Sequence, residues 1–547
     1  MYAPPPLSML WLATALSIAI PASRPAATID NYPRQRGIDA EHYAFAITLR
    51  DETEQIDAVA SVSVRFVEPS ITGLWFELAN ESAGGKGMRV ESLTSNGTPV
   101  RFTHASDRLT LTLAAAPPLG ALRTFVIRYH GVPASGLRIG PNKYGARTYF
   151  SLNWPNLAHQ WLPTIDHPSD KATNEFIVTA PAKYQVVANG ALVEERDLGD
   201  ERRVTHWKES APISTWLFAF AASEFAVHHA GSVAHTPLQS WTYLQDRDTL
   251  WARYEPTARE AMSFFIEQIG PYSYEKLANI QAAGLSGGTE HASAIFYGES
   301  SITPQSAVRI VAHEIAHQWW GNAVTERDWD DVWLSEGFAT YFTLLYNEHW
   351  KGRDVFVRLL QQSRDLVFTT EKSLPTTPII HNGLTDMAQV TNRLVYEKGG
   401  WTLHMLRALI GTDTFWEGIR TYYARYRDRN ASTDDLRRVF EEVSGTELSW
   451  FFDQWLHRAG HPQLRATWQY DAARKLVQLD IEQLQQGETY RVPLDVSVWL
   501  GTTTTKREHV DLRERRQHFE FGADSDPSAL VLDPDTWALI EATITRR

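Results

Sequence analysis

Cysteine is absent from all 547 residues. That excludes disulfides, thiolate metal ligands, cysteine nucleophiles and a lipidated N-terminal cysteine. It says nothing of the redox compartment, because exported chains often dispense with cysteine. Positive charge is also short: the net charge is -13, which argues against partners such as nucleic acid or anionic membrane. Long apolar runs are missing apart from residues 7–20, which end at Pro21-Ala22-Ser23. That run is too short to cross a bilayer, so no transmembrane span is expected, but it has the length of a signal-peptide core. No Lys or Arg precedes it, a departure from the usual leader, yet export to a periplasmic or extracellular space is the reading it favours. Internal repeats and low-complexity linkers are lacking too, so domain borders must be read from changes of period.

What is present is an ordinary globular composition, 43% apolar and 21% charged, in a chain long enough for roughly two to four domains. Residues 1–27 are read as signal peptide and short leader. From 28 to 230 the dominant period is two: Tyr43, Phe45, Ile47 and Leu49 alternate with smaller or polar residues, as do Ala60, Val62, Val64 and Phe66. With turn signals at Asn96-Gly97 and Asn189-Gly190, this predicts an antiparallel β domain. From 231 to 459 the period becomes helical, with helices expected over 251–269, 331–350, 392–409 and 433–443, the last behind a capping-type Ser432-Thr433-Asp434-Asp435 start. Alternation returns over 460–547, where Val492, Leu494, Val496, Val498 and Leu500 mark a strand of a small β-sandwich.

The chemistry is concentrated in His313-Glu314-Ile315-Ala316-His317, on a helix expected to start at Thr303-Pro304 and to be ended by Gly321. At i and i+4 the two histidines share a helix face and can hold one zinc ion, with Glu314 placed as general base. Nineteen residues after His317 comes Glu336, a carboxylate for a third ligand that leaves a fourth position open for catalysis. A helix with two solvated histidines is the bland alternative. It fits poorly with the apolar setting of Ile310, Val311, Ile315, Trp319 and Trp320, where unpaired polar groups would be costly. Trp319, Trp320, Trp329 and Trp333 suit either an apolar cleft wall or plain core, the latter being the commoner fate of tryptophan.

These residues carry a family resemblance. Segment 311–341, from His-Glu-Ile-Ala-His-Gln-Trp-Trp-Gly-Asn to Trp-Leu-Ser-Glu-Gly-Phe-Ala-Thr-Tyr, resembles the gluzincin aminopeptidases related to aminopeptidase N and leukotriene hydrolase. Segment 161–173, Val187-Ala188-Asn189-Gly190 and the stretch from Phe451 to Pro462 are similar to further signatures of that family. The resemblance implies a multidomain α+β fold: an antiparallel β saddle, a thermolysin-like, mainly helical catalytic domain, and a C-terminal β-sandwich. It implies one zinc per chain on His313, His317 and Glu336, with Glu314 as base and Tyr396 as the hydroxyl that stabilises the oxyanion. It also implies a peptide substrate with a free N-terminus, its amine met by Glu290 and its backbone by Gly287, Gly288 and Thr289. Taken alone, Gly-Gly-Thr-Glu would read as an ordinary loop and Tyr396 as a packing residue.

Thr289 and His291 depart from the family's methionine and asparagine, so both are expected to alter the pocket for the first side chain. A glutamine that the family's N-terminal domain often supplies has no clear counterpart here; Asn153 is the nearest polar candidate. The chain stops after the sandwich, without the helical domain of longer relatives, which implies a more open cleft. The expected activity is zinc-dependent removal of N-terminal residues from peptides. The alternatives are an endopeptidase or dipeptidyl-type peptidase with an open cleft, or a non-catalytic binding or scaffold protein on the same fold.

Overall fold

The computed structural model describes residues 34–547 except 382, 383, 385, 502 and 503. The apolar run at 7–20 and its leader reading lie outside the described residues. Strand Ile38–Thr48 sits inside an eight-stranded sheet, antiparallel to Ile56–Phe66 and parallel to Lys171–Pro181. Tyr43, Phe45 and Ile47 on its inner face are buried, while the residues between them are half-exposed. Period two thus buries one face of the strand. The parallel pair departs from a purely antiparallel reading: Lys171–Pro181 returns only after a second sheet, formed in part by Leu137–Pro141 and Arg147–Ser151, and such a long crossover permits parallel pairing. Asn96 and Gly97 turn with φ of 51° and 76°, as a tight hairpin requires.

Strand Phe225–Val233 pairs with Thr236–Tyr243 and so belongs to a five-stranded sheet that continues through Leu277–Ala282 and Ala294–Gly298 to the edge strand Gly288–Thr289. The expected border at 230 falls inside this strand. Against the sheet pack helices α1 (Arg247–Gln268) and α2 (Ala307–His317); α3 (Trp333–Lys351) packs on α2, and α4 (Arg353–Ser373) and α5 (Gly399–Ile410) pack on α3, followed by α6 (Thr412–Tyr426), α7 (Thr433–Ser444) and α8 (Ser449–Leu456). In α7 the Ser432 hydroxyl and Asp435 carboxylate cap each other's backbone N–H, the reciprocal arrangement expected from that spacing. Trp319, Trp320, Trp329 and Trp333 are fully buried; Trp320 packs on Phe338 and Phe342 at 4.8 and 5.2 Å. They are core, not cleft wall: Trp319 packs on Phe265 and Tyr272, Trp329 on Trp154, and Trp333 on Phe338.

In the C-terminal region a four-stranded sheet (Arg516–Gly522, Leu476–Gln483, Gln463–Asp471, Glu541–Arg546) accompanies a three-stranded one (Thr504–Leu512, Val492–Leu500, Ala529–Leu532). Val477, Leu479 and Ile481 of the first and Val492, Leu494, Val496 and Val498 of the second are buried, giving the sandwich its core. Among the described residues, no helix is long and apolar enough to cross a membrane.

Candidate metal centre and cleft

Helix α2 is launched by a reciprocal cap. The Ser306 N–H donates to the Thr303 hydroxyl at 3.2 Å, and the Thr303 N–H donates to the Ser306 hydroxyl at 2.9 Å. Regular helix then runs from Ala307 to His317, and its i, i+4 geometry brings the Nε2 atoms of His313 and His317 to 3.2 Å of each other. Glu336, in the first turn of α3, sets its Oε2 at 3.5 Å from the first and 3.2 Å from the second.

The donor set fits zinc. Two imidazole nitrogens and a carboxylate oxygen converge within 4.8 Å of one another, an N2O set with room for a further ligand. Oε2 of Glu336 is buried and accepts no hydrogen bond, a cost that a bound cation removes. His317 Nδ1 lies 3.1 Å from both the Trp320 carbonyl and the Ser335 hydroxyl. Its ring is therefore oriented with Nε2 toward the convergence point. Gly321 makes this possible: its φ is +97°, and a Cβ there would lie 2.1 Å from the Ser335 hydroxyl.

Electrostatics follow from burial and crowded charge. Burial lowers the His313 imidazole, whereas for His317 the carboxylates of Glu290 and Glu336 outweigh burial and raise it to about 10. A bound cation would compete with a proton at His317. Burial would raise Glu336, but the two histidines hold it well below the usual carboxylate range. Glu314 is pushed well up, by burial first and then by the nearby Glu290 charge.

Around this point lies a cavity of about 340 Å³, lined among others by Gly287, Gly288, Glu290, Glu314 and Tyr396. Glu290, Glu314 and His317 each bring a ligand-type atom within 4.8 Å of the others. Tyr396 sits on a π-helical turn, Leu394–Lys398, where its hydroxyl donates to Glu336 Oε1 at 2.7 Å. Burial and the Glu336 charge keep that phenol protonated.

Three positions considered from the sequence lie away from the cavity. Thr289 lies on the edge strand opposite Phe296 and does not line the cavity. His291 turns away from the cavity into the core, fully buried, its ring 4.7 Å from that of Phe296. Asn153 is likewise buried in the N-terminal domain, donating to the Phe218 carbonyl and accepting from the Trp161 indole. Its capacity is used for packing, so it reaches no substrate. Conversely, Gln318 and Asn322 hold the loop that presents Glu290, donating to its carbonyl at 2.9 and 2.6 Å. Both stand within the segment that carries the motif, yet no local spacing marks them, because their partner lies about thirty residues upstream.

Comparison with known proteins agrees with this geometry. Residues 257–455 match the peptidase family M1 domain, and residues 140–217 match the peptidase M1 N-terminal domain. Human glutamyl aminopeptidase is 29% identical over 60% of this chain and 36% of its own length. Tricorn protease-interacting factor F2 of Thermoplasma acidophilum is 27% identical over 69% of this chain and 49% of its own. The chain thus spans between about a third and a half of the length of these curated relatives. Among solved structures, an M1 zinc metallopeptidase from Deinococcus radiodurans superposes with a TM-score of 0.66 at 25% identity, covering 77% of this chain and 94% of that one. Legionella pneumophila aminopeptidase A shares the fold at a TM-score of 0.81 and 17% identity, over 94% of this chain and 60% of its own. Family match, fold and a zinc-fitting N2O centre on paired helices agree: this chain belongs to the M1 family of zinc metallopeptidases, the gluzincin aminopeptidases.

Proposed function

We propose that the chain is an exported zinc aminopeptidase that removes N-terminal residues from peptides. The observation that carries the exopeptidase reading is the buried Glu290 carboxylate, set into the cleft beside Glu314 and His317. A buried acid at that point pairs with a free α-ammonium and closes the cleft to a longer chain on that side. Export rests on the apolar run at 7–20 followed by Pro21-Ala22-Ser23.

In this reading His313, His317 and Glu336 hold the zinc. When bound, the ion polarises the scissile carbonyl and acidifies the attacking water. Glu314 accepts the water's proton on its carboxylate and passes it to the leaving nitrogen, a role suited to a carboxyl whose burial raises its affinity for protons. The Tyr396 hydroxyl swings from Glu336 to donate to the carbonyl oxygen as that atom gains charge; losing such a donor costs roughly 100- to 1000-fold in kcat. Gly287 and Gly288 flank the outer edge of the five-stranded sheet, where an extended peptide can add as a further strand.

The test pairs one variant with one substrate contrast. Glu314→Gln should keep its zinc, read by atomic absorption, while kcat on aminoacyl amides falls by at least about 1000-fold. Substantial residual turnover would refute Glu314 as base. N-acetylation of the peptide should abolish cleavage by the native protein. Equal cleavage of acetylated and free peptides would replace the aminopeptidase reading with an endopeptidase one.

A further inference from the structure

One cleft-lining cation has no part in the chemistry just described. Arg309 lies four residues before His313 in the first turn of α2, so Arg309, His313 and His317 form a row on one helix face, spaced roughly 6 Å per step. All three line the same cavity. The charge of Arg309 reaches His313, Glu314 and Glu397, yet among the described residues it makes no hydrogen bond or ion pair. The other guanidinium on the cavity wall, Arg393, stands 3.8 Å from the Glu397 carboxylate, which is also bonded to Ser363. Arg309 is therefore the uncommitted positive charge of the cleft.

Its position in the row gives it a direction. Glu290 lies with Glu314 and His317, at one end of the row; Arg309 stands at the other. A peptide whose amine meets Glu290 and whose scissile carbonyl lies between the histidines and Glu336 must run on toward Arg309. An extended chain advances about 3.3–3.6 Å per residue, so the first or second residue beyond the scissile bond comes within reach of the guanidinium. Resting on the aminopeptidase reading, we propose that Arg309 is the anchor of the leaving-group side, binding a carboxylate carried by the residue after the scissile bond. That carboxylate is either an acidic side chain or the free C-terminus of a dipeptide, and the same site disfavours cationic residues there.

Three substrates that share an N-terminal alanine separate the possibilities: alanyl-asparagine amide with no carboxylate, alanyl-aspartate α-amide with one on the side chain, and alanyl-asparagine with one at the C-terminus. The native protein should cleave at least one carboxylate-bearing peptide with kcat/KM roughly tenfold above the neutral amide, and whichever peptide gains identifies the source of the charge. Arg309→Gln should reduce that ratio to near one, and Arg309→Lys should restore part of it. The same three peptides, titrated calorimetrically into zinc-loaded Glu314→Gln protein with and without Arg309→Gln, should show the same preference in affinity without any turnover. No preference in either measurement, or one that survives Arg309→Gln, overturns the assignment. Failure of the native protein to cleave any free-amine peptide counts against the aminopeptidase reading instead, and the affinities still decide the role of Arg309.

Discussion

Gly288 lacks a side chain at the point where a Cβ would lie 2.4 Å from the Glu314 carboxyl group. Its φ is not positive, so what glycine supplies here is space rather than conformation. Gly288→Ala should push Glu314 off its position and lower kcat/KM by about 100-fold, since displacements near 1 Å at a reacting group have that effect. Zinc content and the urea midpoint should hold; an unaffected kcat/KM would mean that Glu314 has room to move. Legibility at this scale was uneven for a physical reason. The spacing of His313 and His317 is a local helical property, so residue numbers alone bring them together. Glu290 and His291 are neighbours leaving an edge strand, where successive side chains point to opposite sides. One faces the cavity and the next enters the core, and sequence proximity to the motif could not separate them.

Tyr396 and Lys398 show how an element, rather than a residue, sets the site. The expected helix over 392–409 is interrupted by the π-helical turn Leu394–Lys398 before α5 begins. Such turns mark functional positions because they re-aim side chains within a helix. Tyr396 reaches Glu336, while the buried Lys398 donates to Glu371 at 2.9 Å and to the Gly460 carbonyl at 2.7 Å. Glu371 in turn lies 2.5 Å from His461, so the turn is tied to α4 and to the start of the sandwich. The hydrophobic period predicts a helix here but carries no sign of the extra residue in the turn, which this buried ion pair helps to hold. Lys398→Met would leave a buried carboxylate with a histidine as its remaining ionic partner. We expect a loss of about 3–5 kcal/mol in urea unfolding, the usual cost of breaking a buried pair. Because Tyr396 rides on the same turn, kcat should fall while zinc content is unchanged; full stability and full kcat together would refute the link.

Two buried histidines, His404 and His291, are held neutral by burial, and this gives the stability of the whole molecule a pH signature. His404 of α5 accepts from the Tyr341 hydroxyl at 3.0 Å, donates to the Thr536 carbonyl at 2.9 Å and stacks on Trp537 at 4.6 Å. It thereby pins a loop of the sandwich to the catalytic helices. Burial, reinforced by Arg353 and Arg407, pushes the His404 imidazole down to about 3. In the unfolded chain the ring titrates near pH 6.5. Below that pH the unfolded state binds a proton that the folded state refuses. The stability supplied by a neutral His404 is therefore complete above pH 6.5 and declines toward pH 3, by about 1.4 kcal/mol per pH unit. His291, also lowered to about 3 by burial, adds a similar slope. Buried acids act in the opposite sense over part of the same range: burial raises Glu326 to about 8 and Asp331 to about 6, and each favours the folded state as pH falls through those values. The net slope is thus a sum, but a His404→Gln variant keeps the acids and His291 and removes one titration. The free-energy difference between native protein and variant, measured by urea unfolding, should be constant above pH 7 and shrink by about 1 kcal/mol per unit below pH 6. A pH-independent difference would mean that the folded protein accepts a proton at His404, and that the contact with Thr536 and Trp537 opens without cost.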